Sequence, residues 1–274
     1  MKNLPKILGY VILIIGAISM ILPFIYMLSL SFMSDKQIIS GSVNFIPTPF
    51  TPDNYAYVIK TSDIFKYFFN SMVVSLSTTI GQVIISAMAG YAFARYNFKF
   101  KEPLFLLILV SMMIPPQVNI VPLFFLMKQF HWIDTYWALI VPGLFGGFGV
   151  FMMRQWFKSL PKDMESSAKI DGCSPFQVFY KIALPMATPA LATLAIFTFI
   201  TTWNSFMWPL IVTNSDSMRT LPIALCNFKG SFREITDWGA LTAFSAICSI
   251  PVIAVFLAGR KYFINDILSG SVKE

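Results

Sequence analysis

Six stretches of this chain are free of Asp, Glu, Lys and Arg over a length that crosses a bilayer: Ile7 to Ser34, Tyr67 to Ala94, Pro103 to Met127, Thr135 to Met153, Ile182 to Ser215 and Trp238 to Gly259. Roughly 20 apolar residues at about 1.5 Å rise span a ~30 Å hydrocarbon core, so each stretch predicts one transmembrane helix. The nearest further candidate, Gln37 to Pro52, is shorter and carries Gly41, Asn44, Pro47, Pro49 and Pro52, which predict an irregular outer segment. The expected fold class is an all-α integral membrane protein, with residues 1–274 forming a single six-span domain.

Composition agrees. The 274 residues are 56% hydrophobic, 16% aromatic and 12% charged, with about half the charge of a soluble domain. So few charged side chains cannot clothe a water-soluble enzyme of this size. A disordered or disulfide-stapled secreted protein is excluded as well.

Six spans put both termini on one side of the membrane. The segments on that side hold thirteen Lys and Arg residues; the opposite segments hold seven, Lys36, Lys60, Lys66, Lys128, Arg219, Lys229 and Arg233. The positive-inside rule therefore predicts cytoplasmic termini. Acidic residues divide six inside and seven outside, so the formal charge of +7 is a cytoplasmic excess that needs no nucleic-acid-binding surface. Lys2 and Lys6 could open a signal peptide, but the apolar run from Ile7 to Phe32 is too long for one and ends without a small-x-small site. It is read as an uncleaved first span.

Reactive chemistry is sparse. The span interiors hold no carboxylate, His or Lys, which argues against ion or proton coupling; neutral polar atoms are still able to ligate Na⁺, so an ion-driven secondary carrier remains an alternative. His131, the lone histidine, lies beside Trp132 and Asp134 and reads as part of an interfacial aromatic belt with Trp132, Tyr136 and Trp137. Cys173, Cys226 and Cys248 show neither pairing nor metal spacing. No catalytic triad and no phosphate-binding loop is found, so no catalytic, cofactor-binding or metal-binding residue is expected. Gly143, Gly146, Gly147 and Gly149 read as close-packing positions. Energy for uphill transport would come from another polypeptide.

The most informative segment is Lys158 to Pro185, the longest and most charged inner loop. It predicts two short helices around a bend. Ser159 is the expected N-cap of the first, with Pro161 in its opening turn and Gly172 ending it. Ser174, Pro175 and Gln177 predict a capping box that opens the second. Phe176, Phe179, Tyr180 and Ala183 follow at helical spacing, an apolar face that needs a surface to bury against.

This stretch resembles the EAA loop of the inner-membrane permease subunits of bacterial ABC importers. Ser167 and Ala168 stand in the two alanine places, and Gly172, Ile182, Leu184 and Pro185 match at the family spacing. Lys169-Ile170-Asp171-Gly172 is typical of the carbohydrate branch, while Ser166 departs from the usual Glu and Glu165 adjoins it. The resemblance covers nearly the whole chain and is strongest to the binding-protein-dependent, maltose-transporter G-like permeases, through Phe45 to Tyr55, Met113 to Phe124, Trp203 to Leu210 and the tail from Ile267 to Glu274.

That resemblance implies a sugar importer in the bacterial plasma membrane. This chain would form half of the pathway beside a second permease, with two copies of an ABC ATPase, which hold ATP and Mg²⁺, and an extracytoplasmic sugar-binding protein. It implies that the loop 158–185 is a cytoplasmic coupling helix region, with Glu165, Ala168, Asp171, Gly172, Phe176 and Phe179 seated in the ATPase and Gly270, Ser271 and Val272 as tail contacts. The outer loop 213–237 would dock the binding protein, or be a plain solvated connector. Since a sugar offers hydroxyls and a C–H face, Gln117, Asn119, Trp203, Asn204, Ser205 and Trp208 are candidate pathway residues. Trp208 as an interface anchor and Asn204 as a helix-packing residue are the alternatives. Another solute, such as glycerol phosphate, is the competing substrate.

Overall fold

The computed structural model describes residues 4–40, 45–161, 163–228 and 236–271, and among them the regular structure is helical. Among the described residues, four helical stretches are long and apolar enough to cross a membrane: Lys6–Ser31, Ile64–Arg95, Tyr136–Ser159 and Trp238–Lys261. Two further pairs qualify if each bent pair counts as one span, giving four to six candidate spans. The chain divides into two compact units, residues 1–68 with 221–251, and residues 69–220 with 252–274.

The first unit is built on α1 (Leu4–Ser31), α2 (Asp53–Thr61) and the opening part of the last helix. No residue in the most apolar stretch of α1 is buried by the described residues. Its whole circumference is hydrophobic, as expected of a helix surrounded by lipid or by another subunit. Its C-terminal end is tied down by Asn54, whose Nδ2 donates to the carbonyls of Ser31 at 3.1 Å and Met33 at 2.8 Å. The first bond occupies a carbonyl that the end of the helix leaves without an internal donor, and the second holds the turn that follows. Asp237 opens the last helix by accepting the Ala240 N–H at 2.8 Å.

The second unit contains most of α3 (Ile64–Arg95), then α4 (Lys101–Met113), α5 (Pro116–Gln129) and α6 (Gly147–Ser159). A short helix, Tyr136–Ile140, and a 3-10 turn, Val141–Gly143, lead into α6. Along α3, residues 78, 82, 86 and 90 recur four apart and meet this stretch through glycines. A Cβ on Gly143 would lie 2.7 Å from Thr78 Cγ2, and one on Gly146 or Gly149 would overlap Gln82 or Ser86. On Gly90 it would meet the backbone N of Arg154 at 2.8 Å. The glycines are packing positions, which is how membrane helices approach closely without a hydrophobic driving force between them.

Two expected spans are sharply bent at a break. α4 and α5 meet at 96°, because Pro115 and Pro116 supply no backbone donors and Ile114 is held extended, as a residue before proline must be. The fifth stretch is likewise divided: α8 (Pro175–Met186) and α9 (Thr188–Trp203) are bent by 75°, and α9 stops at Trp203 before a separate short helix, α10 (Met207–Val212). The last helix, α11 (Trp238–Ser271), runs well past Gly259. Between α6 and α8 lies α7 (Asp163–Ile170).

Candidate functional site

The loop between α6 and α9 is held by a small set of local bonds. Ser159 is not an N-cap: it is the last residue of α6, its hydroxyl bonded to Trp156 O at 2.8 Å. The chain turns at Leu160, and α7 begins only at Asp163, with Asp163 and Glu165 in its first turn where the helix dipole favours negative charge. α7 ends as expected at Gly172, which has φ +81°. The Cys173 N–H reaches back to Ala168 O at 3.0 Å, closing a Schellman turn around that glycine.

The capping box then starts α8. Ser174 Oγ accepts the Gln177 N–H at 3.3 Å, and Gln177 Oε1 accepts the Ser174 N–H at 2.7 Å. Residues Phe179–Ala183 form a π turn just before Pro185, where the missing proline N–H deprives the Lys181 carbonyl of its α-helical donor. The two short helices thus meet at an elbow whose angle is set by backbone geometry on both sides.

Buried contacts fasten the elbow to α3. Arg95 Nε lies 2.7 Å from Glu165 Oε1, with side-chain exposures of 6% and 9%. Arg95 Nη2 donates to Leu160 O at 2.9 Å, and Tyr91 Oη donates to the other Glu165 oxygen at 3.3 Å. Phe179 packs on Tyr91, ring centres 5.0 Å apart. It borders a core of Ala87, Tyr91, Met153, Phe157, Ala183, Ala187, Ala190 and Leu194.

The predicted seat residues therefore divide. Glu165 and Ala168 are buried within this chain, and Phe179 is half-buried. Asp171 and Gly172 are exposed, and Phe176 is 65% exposed. The apolar face read as Phe176, Phe179, Tyr180 and Ala183 is split, with Ala183 and fully buried Val178 turned inward and Phe176 and Tyr180 outward. Ile170, part of the sequence motif but not named among the seat residues, is the most exposed large apolar side chain of the loop at 87%. Gly270 and Ser271 lie at the end of α11, and Val272 lies outside the described residues.

Three of the predicted pathway residues come together. Gln117, Ser205 and Trp208, with Phe206, line a cavity of about 350 Å³ between the break before α5 and the break before α10. Trp208 Nε1 donates to Ala138 O at 2.9 Å, so the indole is fixed in place. Trp203 is buried and stacked on Phe199 at 5.6 Å, and it joins Ser205 and Trp208 around a second, small cavity. Asn204, just past the end of α9, donates from Nδ2 back to Ile200 O at 2.9 Å, and Asn119 is exposed outside the cavity.

The start of the predicted outer loop is anchored by Asn70, which the sequence did not single out, and by Tyr136 and Asp134, read there only as neighbours of His131. Buried Asn70 donates to Ser217 O at 2.9 Å and Arg219 O at 2.8 Å, and accepts the Tyr136 hydroxyl at 2.6 Å. Asp134 Oδ1 accepts the N–H groups of Asn214 at 2.9 Å and Ser215 at 3.1 Å. Burial alone would raise the pKa of Asp134, but these donors outweigh it and hold the carboxyl below its ordinary value. Arg219 pairs with Asp216 at 2.7 Å. Lys229, Arg233 and Glu234 lie outside the described residues. His131 sits in a left-handed turn beside Trp132, which packs 6.0 Å from Trp137.

Comparison with known proteins gives consistent results. The probable ABC transporter permease protein YurM of Bacillus subtilis (strain 168) is 36% identical over 266 residues, covering 96% of this chain and 87% of the relative. The arabinooligosaccharides transport system permease protein AraQ of the same organism is 39% identical over 222 residues, covering 81% and 78%. A crystal structure of a bacterial ABC transporter involved in import of the acidic polysaccharide alginate superposes with a TM-score of 0.85, covering 96% of this chain and 97% of that one. At 21% identity this likeness establishes the fold. Residues 82–268 match the family described as binding-protein-dependent transport system inner membrane component, and with four to six apolar spans around a capped elbow, the chain belongs to that family of multi-pass membrane permeases.

Proposed function

We propose that this chain is one of two permease subunits of an ATP-driven carbohydrate importer, with six spans in one domain and both termini in the cytoplasm. The observation that carries the reading is the elbow of α7 and α8. Gly172 and the Ser174 capping box fix its angle, Arg95 and Glu165 fasten it to α3, and Ile170 and Phe176 are left exposed. A rigid apolar knob rooted in a transmembrane helix suits the receipt of force from a motor. In this reading an ABC ATPase, holding ATP and Mg²⁺, binds Ile170, Asp171, Gly172 and Phe176, while Glu165 and Ala168 keep that surface in place from beneath. Phe179 joins the two layers. Gly270, Ser271 and Val272 add tail contacts, and segment 213–237 docks the extracytoplasmic binding protein.

Carbohydrate as the substrate is supported by relatives such as the arabinooligosaccharides permease and by a cavity walled by Gln117, Ser205 and Trp208 without a charged side chain. A phosphorylated solute would favour a cationic wall. Gly172→Asp tests the coupling role. No atom would obstruct its side chain, but φ +81° strains any L-residue. The expected outcome is correct membrane insertion and continued ATP hydrolysis, with uptake lost; undiminished uptake overturns the proposal.

A further inference from the structure

Buried hydroxyls normally find a partner, since an unpaired one forfeits its bonds to water. Ser75 Oγ and Thr220 Oγ1 make no hydrogen bond among the described residues, although Ser75 is 1% and Thr220 4% exposed. Ser86 Oγ is also unpaired, but it is packed where Gly149 approaches α3. Ser75 and Thr220 differ in having space in front of them. Both line a cavity of about 20 Å³, enough for one hydroxyl or one water. Ser205 and Trp208 line this small cavity as well as the cavity of about 350 Å³ that contains Gln117 and Phe206. Because the Trp208 N–H is committed to Ala138 O, the indole has its ring face rather than its donor to offer.

We propose that the two cavities form a single carbohydrate subsite in this subunit. The C–H face of a sugar ring lies against Phe206 and Trp208, and one hydroxyl enters the small cavity between Ser75 and Thr220. A hydroxyl both donates and accepts, so one group satisfies both side chains. Neither cavity is lined by an ionisable residue, which selects a neutral group. The inference rests on the carbohydrate reading above. The same chemistry is available to a bound water, and the test separates the two sources.

The test uses the full chain, with its partner permease, ATPase and binding protein, carrying Ser75→Ala or Thr220→Val, and Ser86→Ala as control. Without sugar, each substitution removes an unpaired hydroxyl and is expected to raise Tm by about 2–4 °C. A lower Tm for Ser75→Ala and Thr220→Val would show a structural water bound there and overturn the proposal. In proteoliposomes, ATP-dependent uptake of arabinotriose is expected to fall about 3- to 10-fold with Ser75→Ala or Thr220→Val, and to persist with Ser86→Ala. Normal wild-type uptake with both site variants unaffected defeats the subsite alone. A wild-type importer that takes up none of arabinotriose, maltotriose and lactose defeats the carbohydrate reading, and this inference with it.

Discussion

Glu165→Gln is the sharpest test of how the elbow is held. The substitution preserves shape and removes one charge, leaving the Arg95 guanidinium buried at 6% side-chain exposure. Breaking a buried ion pair by removing one partner costs about 3–5 kcal/mol. Arg95 keeps its bond to Leu160 O and the glutamine can still accept from Tyr91, which places the expected loss near about 3 kcal/mol. For a chain of this size that corresponds to a Tm lower by roughly 6–12 °C. The measurement is thermal unfolding of the purified full-length chain in detergent, repeated for Arg95→Met and for the double variant Arg95→Met/Glu165→Leu. The double variant should recover much of the loss, because an apolar pair leaves no uncompensated charge. Faster alkylation of Cys173, at the elbow itself, should accompany each single substitution. A Glu165→Gln protein that melts within about 1 °C of wild type and labels at the same rate would refute the claim that this pair holds the elbow.

Gly90→Ala should destabilise the packing of α3 on α6 by about 1–3 kcal/mol, since the new methyl meets the Arg154 backbone rather than a movable side chain; Gly9→Ala, with open space around it, is the control in the same unfolding experiment. The connector at Asn214 and Ser215 should depend on pH. The folded-state pKa of Asp134 is lowered, so its stabilisation is complete above the ordinary value of about 3.9 and is lost as pH falls through the folded value. Hydrogen exchange at these two amides, corrected for intrinsic rates, should lose protection in that acid range in wild type and change far less in Asp134→Asn, which also tolerates the φ of 62°.

Local signals were legible in the sequence. The capping box needs only Ser174 and Gln177, three residues apart, and the positive φ of Gly172 follows from its place between two helices. Freedom from charge located the apolar segments, but that criterion is blind to backbone donors and passed over the Pro115-Pro116 break, although the two prolines were a visible signal. The Ser159 reading failed because α6 continues to that residue and the new helix waits for Asp163. Arg95 and Glu165 are 70 residues apart, and nothing in either neighbourhood marks one as the partner of the other. Arg154, one of the thirteen inner-side cations counted from the sequence, is 6% exposed with its guanidinium 3.8 Å from the Phe105 ring centre. Which cation is buried depends on tertiary packing, and periodicity carries no record of it.

The bare circumference of α1 has a consequence for variation among related sequences. Since no residue of its most apolar stretch is buried by the described part of the chain, exchange among Leu, Ile, Val, Met and Phe there costs the internal fold little. Any position in that stretch that resists such drift therefore reports a neighbour from outside the chain, and a saturation scan of α1 would map that neighbour's footprint.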